Sequence, residues 1–524
     1  MSGEQASRAR PLHLATSGDL EAVGGTDEVI IGKDLLELVS SAMYVDPMTI
    51  YREYIQNAAD AIDEAKALGI PETERGQVEI EIEPASRTVR IRDNGIGIAW
   101  PDFFRKLASI GGSSKRGTKA RGFRGVGRLA GLGYAQELIF CSRVPGESKV
   151  SEMRWDCRKL KTQLRDTTSD NGVGHLINQV VALSKVEPSG FPDRFFEVEL
   201  RGLVRLHDDR LLSAAAIADY LSQVAPVPFS PDFRFGDEIS ATLRATVGLG
   251  EIEITVAGAG PLYRPHRDSL AAGTSRVTNF DSVSFVEVPG MDGDTAAVAW
   301  FLHHEYEGAL PNATLVKGVR LRSGNIQIGE NALLEGLFPE PRFNSWAVGE
   351  IHVLDPRLMP NGRRDNFEQN THLSNLFNHL GPATKDIAQR CRTSSVRRKL
   401  LRDFQIHDDT VNERLGILKQ GLLGETPRNA LALSVDQALM RMEKIAGTDK
   451  FDGAHDLKML PRVETLRTSL QSAMAEAADI SPLTRLPEAD RLMYERMFEL
   501  IYECAVNRSA AKSLIDRILL KIQT

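Results

Sequence analysis

Cysteine is scarce in this 524-residue chain. The four present, Cys141, Cys157, Cys391 and Cys504, are widely spaced and form no CxxC pair. A disulfide framework is therefore excluded, and buried thiols in a reducing, cytoplasmic compartment are expected. The eleven histidines show no HxxxH or HExxH spacing, so no zinc site is expected. No run of 18 or more apolar residues exists, which argues against a membrane span. The first residues, MSGEQASRARPLHLATSGDLEAVGG, lack the apolar core of a secretory signal and read as a flexible polar tail over 1–27. A basic excess is also missing. Lys+Arg is 64 against Asp+Glu 71, a net charge of −7, which disfavours a dedicated nucleic-acid binder but leaves room for a local basic patch. No internal repeat and no sustained heptad run is found.

What is present is ordinary for globular protein: 42% apolar and 26% charged residues, enough for each domain to bury a core. At roughly 150 residues per domain, about three domains are expected. A short helix is predicted over 35–43. A longer one follows Pro47, from Met48 to Leu68, with Ile55, Ala58, Ala59, Ile62 and Ala65 at helical spacing. QVEIEIE and TVRIRDNGIGI alternate as strands, and a helix is expected near 102–109. A polar, glycine-rich stretch spans 111–127, and a helix begins near Val126. Strands are then expected at ELIFCS, SEMRWD, GHLINQVV and FFEVELRG. This order is not a repeating βαβα pattern, so a mixed α+β sandwich is predicted over 28–206. A second α/β segment, 207–370, opens with the helix LLSAAAIADYLSQVA and continues with strands at EIEITVA, SFVEV, AVAWFLH, TLVKGVRLR and GEIHVLD. Residues 371–524 read as helical throughout.

Three pieces carry the chemistry. Glu53, Asn57 and Asp60 fall at i, i+4 and i+7 and share one helix stripe; a solvated face is the plain alternative. Asp93 begins DNGIGI, where Gly95 and Gly97 allow a positive φ and close approach of a ligand, although an ordinary Asn-Gly turn fits as well. GFRGVG, 122–127, opens a helix and presents backbone N–H groups to an anion, with Lys115, Arg116, Lys119, Arg121 and Arg124 nearby. The loop lacks the GK[ST] ending of a Walker A motif and the strand and acidic residue of a Rossmann fingerprint.

In this order the three pieces resemble the boxes of the GHKL ATPase superfamily, which includes gyrase, the heat-shock chaperone, histidine kinases and MutL. YREYIQNAADAIDEAK resembles the first box, IRDNGIGI the second and GFRGVGR the third. Within the superfamily the chain is most similar to the ninety-kilodalton heat-shock chaperones, the HtpG-like proteins of bacteria. LLSAAAIADYLSQVAPVPF looks like the helix opening their middle domain, and LVKGVRLRSGNIQIG like its central strand. GEIHVLDPRLMPNGRRDNFEQN looks like the loop that delivers a catalytic arginine. The resemblance covers roughly residues 28–395. It implies a Bergerat-type α/β sandwich, an α/β middle domain and a helical C-terminal domain, α+β overall. It also implies an ATPase using ATP and Mg²⁺, a protein client or dedicated partner, and a homodimer.

By that resemblance Glu53 is the general base for water attack on the γ-phosphate, a role that burial would assist by raising its pKa, with Arg52 orienting it. Asn57 is the Mg²⁺ ligand. Asp93 reads the adenine amine above a floor of Gly97 and Ile98, and Asp60 supports the pocket. Ser113, Ser114 and Lys115 start a lid, Gly122, Gly125, Val126 and Gly127 wrap the phosphates, and Arg128 is counted with them as a nucleotide-binding residue. Arg364, with Arg363 as the neighbouring candidate, reaches the γ-phosphate as an arginine finger; the alternative for this pair is a surface salt bridge with Asp365. The sequence departs from the chaperones at Gly112, where they carry lysine, and at Arg128, where they carry phenylalanine. Their threonine near the last strand has no clean counterpart, with Arg194 or Ser189 nearby. The Ser113-Ser114-Lys115 triplet is closer to MutL, so the rival reading is a MutL- or MORC-like clamp closing on DNA. The basic run 390–402 would favour that rival, but reads first as a solvated helix face. Trp100, Trp155, Trp300 and Trp346 are expected in cores or domain interfaces, and His303-His304 in a structural role.

Overall fold

The computed structural model describes residues 46–69, 75–109, 127–165, 173–206, 208–272, 276–449, 451, 458–476 and 482–522. The expected tail and the helix at 35–43 lie outside them. The chain divides into two compact units, Met1–Leu221 with Glu251–Leu262, and Ser222–Gly250 with Tyr263–Thr524.

In the first unit, helix α1 (Thr49–Ala67) buries Ile50, Ile55, Ala58, Ala59 and Ile62, the positions that the helical period marks as apolar. Strands β1 (Gln77–Glu83) and β2 (Thr88–Asp93) pair antiparallel, Ile80 opposite Ile91. Helix α2 (Trp100–Ala108) and a 3₁₀ helix over Gly127–Gly133 follow. Next come β3 (Glu137–Arg143), β4 (Val150–Asp156), α3 (Cys157–Arg165), α4 (Val173–Val180), β5 (Val181–Val186) and β6 (Phe195–Arg201). Together with β7 (Glu253–Val256), the described strands form a seven-stranded sheet in the order β5-β4-β3-β6-β2-β1-β7. Period-2 alternation gives this sheet two faces. Val78, Ile80, Val89, Leu138, Phe140, Met153 and Trp155 are buried. The other face carries a charge ladder, with Arg92–Glu197 at 2.6 Å, Arg201–Glu199 at 2.8 Å and Arg90–Glu199 at 3.1 Å.

Two elements differ from the sequence expectation. GHLINQVV is not a strand: Val173–Val180 is helical and strand begins only at Val181. The buried residues Val173, Leu176, Ile177 and Val180 stand at i, i+3, i+4 and i+7, a helical spacing that the β-branched composition masked. EIEITVA was assigned to the second segment, yet β7 pairs parallel with β1, Val78 opposite Ile254. Ile254 and Val256 bury their side chains and close an open sheet edge; periodicity alone does not say which sheet an edge strand joins.

Helix α5 (Ala214–Val224) belongs to the first unit up to Leu221 and to the second from Ser222, and in the second unit α6 (Gly236–Arg244) and the hairpin β8 (Ser269–Ala272)–β9 (Arg276–Asn279) follow. β10 (Ser282–Pro289), β11 (Thr295–His303), β12 (Gly318–Ser323), β13 (Ile326–Ile328) and β14 (Val348–Val353) build a sheet ordered β10-β11-β14-β12-β13. β11 is buried on both faces, as its continuous apolar run demands. Trp300 packs with α6, and Phe301 packs with the start of α7 (Thr371–Leu418). Asn370 caps α7 by accepting the Leu373 N–H at 2.9 Å. Of the α7 residues, Leu373 to Cys391 bury one stripe against the sheet; no residue over 392–403 is buried, and Phe404 onward packs with α8 (Glu425–Ala446) and α9 (Met459–Glu476). α10 (Glu488–Cys504) and α11 (Arg508–Ile522) share a further cluster around Phe498 and Ile515.

Candidate nucleotide site

The stripe on α1 is not a solvated face. Glu53 and Asp60 are each 6% exposed, and Arg52 and Gln56 are also buried, while Asn57 is half-buried. Buried charge on a helix demands partners. Arg52 Nη2 lies 3.6 Å from Glu53 Oε1. The other Glu53 oxygen faces Gly127: a Cβ built there would fall 2.2 Å from Glu53 Oε2, so any larger residue would have to displace the carboxylate. The last glycine of the third motif is thus seated on the acid of the first.

Tyr54, one residue on, stitches the same two elements. Its hydroxyl accepts the Gly131 N–H at 2.9 Å and donates to the Arg128 carbonyl at 3.3 Å. Burial pushes this phenol up, so it stays protonated and able to donate. The sequence reading passed over Tyr54; its signal was an aromatic hydroxyl beside the acid on a stripe that had to be buried.

The second motif also lies on α1. Asp93 ends β2 at 5% exposure, and its Oδ1 accepts the Gly95 N–H at 2.9 Å. The Ile96 N–H donates to the Ala61 carbonyl at 3.1 Å, and a Cβ on Gly95 would meet Ala61 Cβ at 2.7 Å. Gly97 takes φ +73°, and a Cβ there would sit 2.6 Å from the Arg143 carbonyl. The Ile98 N–H donates to Ser142 Oγ at 2.8 Å, and Ser142 donates onward to the Phe195 carbonyl at 3.1 Å. Ser142, also missed from the sequence, hangs the Gly97–Ile98 tip between β3 and β6. Asn94 does not face this pocket region but closes the sheet edge, with Oδ1 accepting from Gln77 N and Nδ2 donating to the Arg75 carbonyl, both at 2.8 Å.

Arg128 Nε donates to the Leu107 carbonyl at 3.2 Å and its Nη2 to the Ser109 carbonyl. Burial lowers its pKa to about 10. Its charge is spent on the end of α2. Arg194 Nε donates to the Asn94 carbonyl at 3.2 Å, beside the second motif, whereas Ser189 is exposed. Ser113, Ser114, Lys115, Gly122, Gly125 and Val126 lie outside the described residues, as does Gly112.

Glycines of the second and third motifs therefore both abut one helix that carries a buried acid and a half-buried amide. Residues 47–178 match the family described as Histidine kinase-, DNA gyrase B-, and HSP90-like ATPase. The first unit holds a GHKL ATPase domain. The GHKL range contains Glu53, Asn57, Asp60, Asp93, Gly97, Ile98 and Gly127. Chaperone protein HtpG of Aromatoleum aromaticum is 25% identical over 198 residues, 34% of this chain and 30% of that protein. HtpG of Bordetella avium is 31% identical over 153 residues, 26% of this chain and 24% of that protein. HtpG of Streptomyces coelicolor is 27% identical over 146 residues. The chain thus spans less than a third of the length of these relatives. Among the described residues no helix is long and apolar enough to cross a membrane.

The donor chemistry fits a magnesium nucleotide. Among the described residues no group of three His, Cys, Asp or Glu could cage a metal. One amide oxygen at Asn57, a turn from a carboxylate, suits an ion that keeps most of its waters and takes the rest of its oxygens from phosphates.

The arginine loop belongs to the second unit. Pro360 and Phe367 bridge across it, and Asn361 N donates to the Asn366 carbonyl at 2.9 Å. Arg364 takes φ +57°, a left-handed conformation that a non-glycine residue adopts only when its surroundings hold it. One such hold is the Gly329 N–H, which donates to the Arg364 carbonyl at 2.9 Å. Asp365 Oδ1 accepts from Asn361 Nδ2 at 2.6 Å. Arg364 is half-buried and Arg363 exposed.

The remaining candidates are structural. Trp155 and Trp300 are fully buried, and Trp100 opens α2 with Lys185 Nζ 4.5 Å from its ring centroid. In the run 390–402, Arg390 pairs with Asp386 at 2.8 Å, Arg392 with Glu340 at 2.7 Å, and Arg398 stacks over Trp346. His303 bridges Ser284 at 2.7 Å and Tyr306 at 2.8 Å. His304 Nε2 lies 2.9 Å from the Trp346 carbonyl.

Proposed function

We infer that this chain is an ATP-driven, conformationally cycling protein that remodels a protein client or a dedicated partner. The observation that carries the reading is the buried Glu53 carboxylate held against the Gly127 backbone on a GHKL helix. In this reading Glu53 accepts the proton of the attacking water and Arg52 fixes its orientation. Asn57 holds Mg²⁺, which offsets phosphate charge when bound. Asp93 takes the adenine amine over Gly97 and Ile98, Asp60 supports the stripe, and Gly127 with the lid residues of 111–127 wraps the phosphates. Arg364 brings a guanidinium to the γ-phosphate in the closed state and stabilises charge there. Its left-handed backbone supports a loop built for placement rather than for packing.

Clients, a homodimeric working unit and a cytoplasmic setting follow from the likeness to HtpG and belong to the same proposal. The DNA-clamp alternative is less well supported, because three arginines of its basic run are engaged with Asp386, Glu340 and Trp346. The test is Glu53→Ala in the full chain. Calorimetry should show retained ATP binding and a phosphate-release assay should show hydrolysis lost, about a hundredfold or more; undiminished hydrolysis removes Glu53 from the base role. The same variant with ATP should retain client proteins on pull-down.

A further inference from the structure

The chain passes between its two units at 221/222, 250/251 and 262/263. Just beyond each crossing, the second unit holds its backbone with one buried polar cluster. Arg322 donates to the carbonyls of Gln223 at 2.6 Å and Ala225 at 3.4 Å. Asn325 Nδ2 donates to the Leu249 carbonyl at 2.8 Å. Arg264, the second residue after the third crossing, donates from Nε to the Val227 carbonyl at 3.0 Å and from Nη2 to Asn325 Oδ1 at 2.6 Å. Glu350 receives Arg264 and, at 2.7 Å, Arg322. Arg264, Arg322, Asn325 and Glu350 are all at most 1% exposed.

A second branch leaves this cluster and ends at the arginine loop. Arg320 Nη2 donates to Gln223 Oε1 at 3.0 Å, and its Nη1 donates to Gln327 Oε1 at 2.8 Å. Gln327 Nε2 donates to the Gly329 carbonyl at 2.9 Å. The Gly329 N–H donates to the Arg364 carbonyl at 2.9 Å. Gly329 has φ +65°, and a Cβ on it would lie 2.6 Å from the Asp365 carbonyl, so the loop rests directly on this backbone. Arg320 and Gln327 are 4% and 5% exposed. Each link is a directional hydrogen bond; the Arg320–Gln327 bond is buried and the others are partly so, which limits how far solvent absorbs a displacement at one end.

We propose that Arg320 and Gln327 are positioning residues for ATP turnover: they tie the 361–366 arginine loop to the chain crossing at 221/222, so that movement of the crossing resets Arg364. This rests on the role given to Arg364 above. Gln327 uses both ends of its amide, accepting from Arg320 and donating to Gly329. Neither a carboxylate nor a thioether of the same length does both.

The test uses the full-length chain with three single variants, Arg364→Ala, Gln327→Met and Gln327→Glu, and the double variant Arg364→Ala/Gln327→Met. Far-UV circular dichroism, ATP affinity by calorimetry and kcat for phosphate release are measured for each. Gln327→Met is expected to lower kcat about tenfold with ATP affinity unchanged within twofold, and the double variant to be no slower than Arg364→Ala alone, since both act at one place. Gln327→Glu keeps the Arg320 bond and loses only the donor to Gly329; it should also lower kcat, and it carries the test if Gln327→Met does not fold. A folded Gln327→Met and Gln327→Glu pair at the parental kcat, beside an impaired Arg364→Ala, would overturn the relay alone. So would strict additivity in the double variant. Arg364→Ala at the parental rate would instead overturn the reading beneath it.

Discussion

Both units line up arginines against glutamates, in opposite settings. In the first, Arg90, Arg92 and Arg201 keep 26–40% of their side chains exposed along a sheet face and pair sideways with the buried Glu197 and Glu199. In the second, three guanidiniums and one carboxylate are enclosed, with His266 and His352 beside them. Pairs near water gain little, because solvent and salt screen them. Enclosed pairs bear a desolvation cost that their attraction roughly offsets, so they hold geometry more than they add stability. The first unit sets part-exposed arginines over buried glutamates along a sheet; the second encloses both signs and fixes backbone with them.

The largest effect is expected from Glu350→Ala. It strands Arg264 and Arg322 in the interior and should cost about 3–5 kcal/mol, read as early melting in a thermal denaturation. Gly127→Ala probes the buried acid of the first unit. With a Cβ 2.2 Å from Glu53 Oε2 the carboxylate must shift, and phosphate release should fall at least about tenfold. Acid is expected to act mainly on the second unit. Burial drives His266 down to about 3 and His352 down to about 4, so both are neutral when folded. Unfolded chain takes up those protons near pH 6.5, so stability should be level above that pH and lost as pH falls toward 4. Burial pushes Glu350 up, but Arg264 and Arg322 outweigh it and hold it well below the ordinary range. Its contribution is lost at still lower pH, in the same direction. Urea midpoints across pH 4–8 check the sign; a midpoint rising on acidification would contradict it. The smallest effect belongs to the open face: Arg154→Ala, which removes a 3.6 Å pair with Glu152, should change stability by less than about 1 kcal/mol, less again in molar salt.

Much of the first unit was legible because local pattern and local structure agree there. α1 announced itself through Ile55, Ala59 and Ile62, and its polar stripe through Glu53, Asn57 and Asp60. What the sequence hid was long-range. β7 joins β1 across 176 residues of chain, Gln77 opposite Glu253. The α4 segment looked like strand until its buried face fixed the period. Tyr54 and Ser142 matter through carbonyls that only the fold brings near. In the second unit, Arg320 and Arg322 sit in LVKGVRLRSGNIQIG like any strand-edge cations, and only their burial reveals them as internal struts.

Helix α7 runs 48 residues without interruption, a rod of roughly 70 Å at 1.5 Å per residue. One end packs on the β sheet and the other into the α8–α9 bundle, and the stretch between is held by side-chain contacts such as Arg392 to Glu340 and Arg398 over Trp346. A rod so mounted is a lever: beyond Cys391 its arm is about 40 Å, so a tilt of about 5° where it leaves the sheet would carry its far end by roughly 3–4 Å. Small adjustments of tilt at the sheet would thereby arrive at the C-terminal helices as displacements of several ångströms.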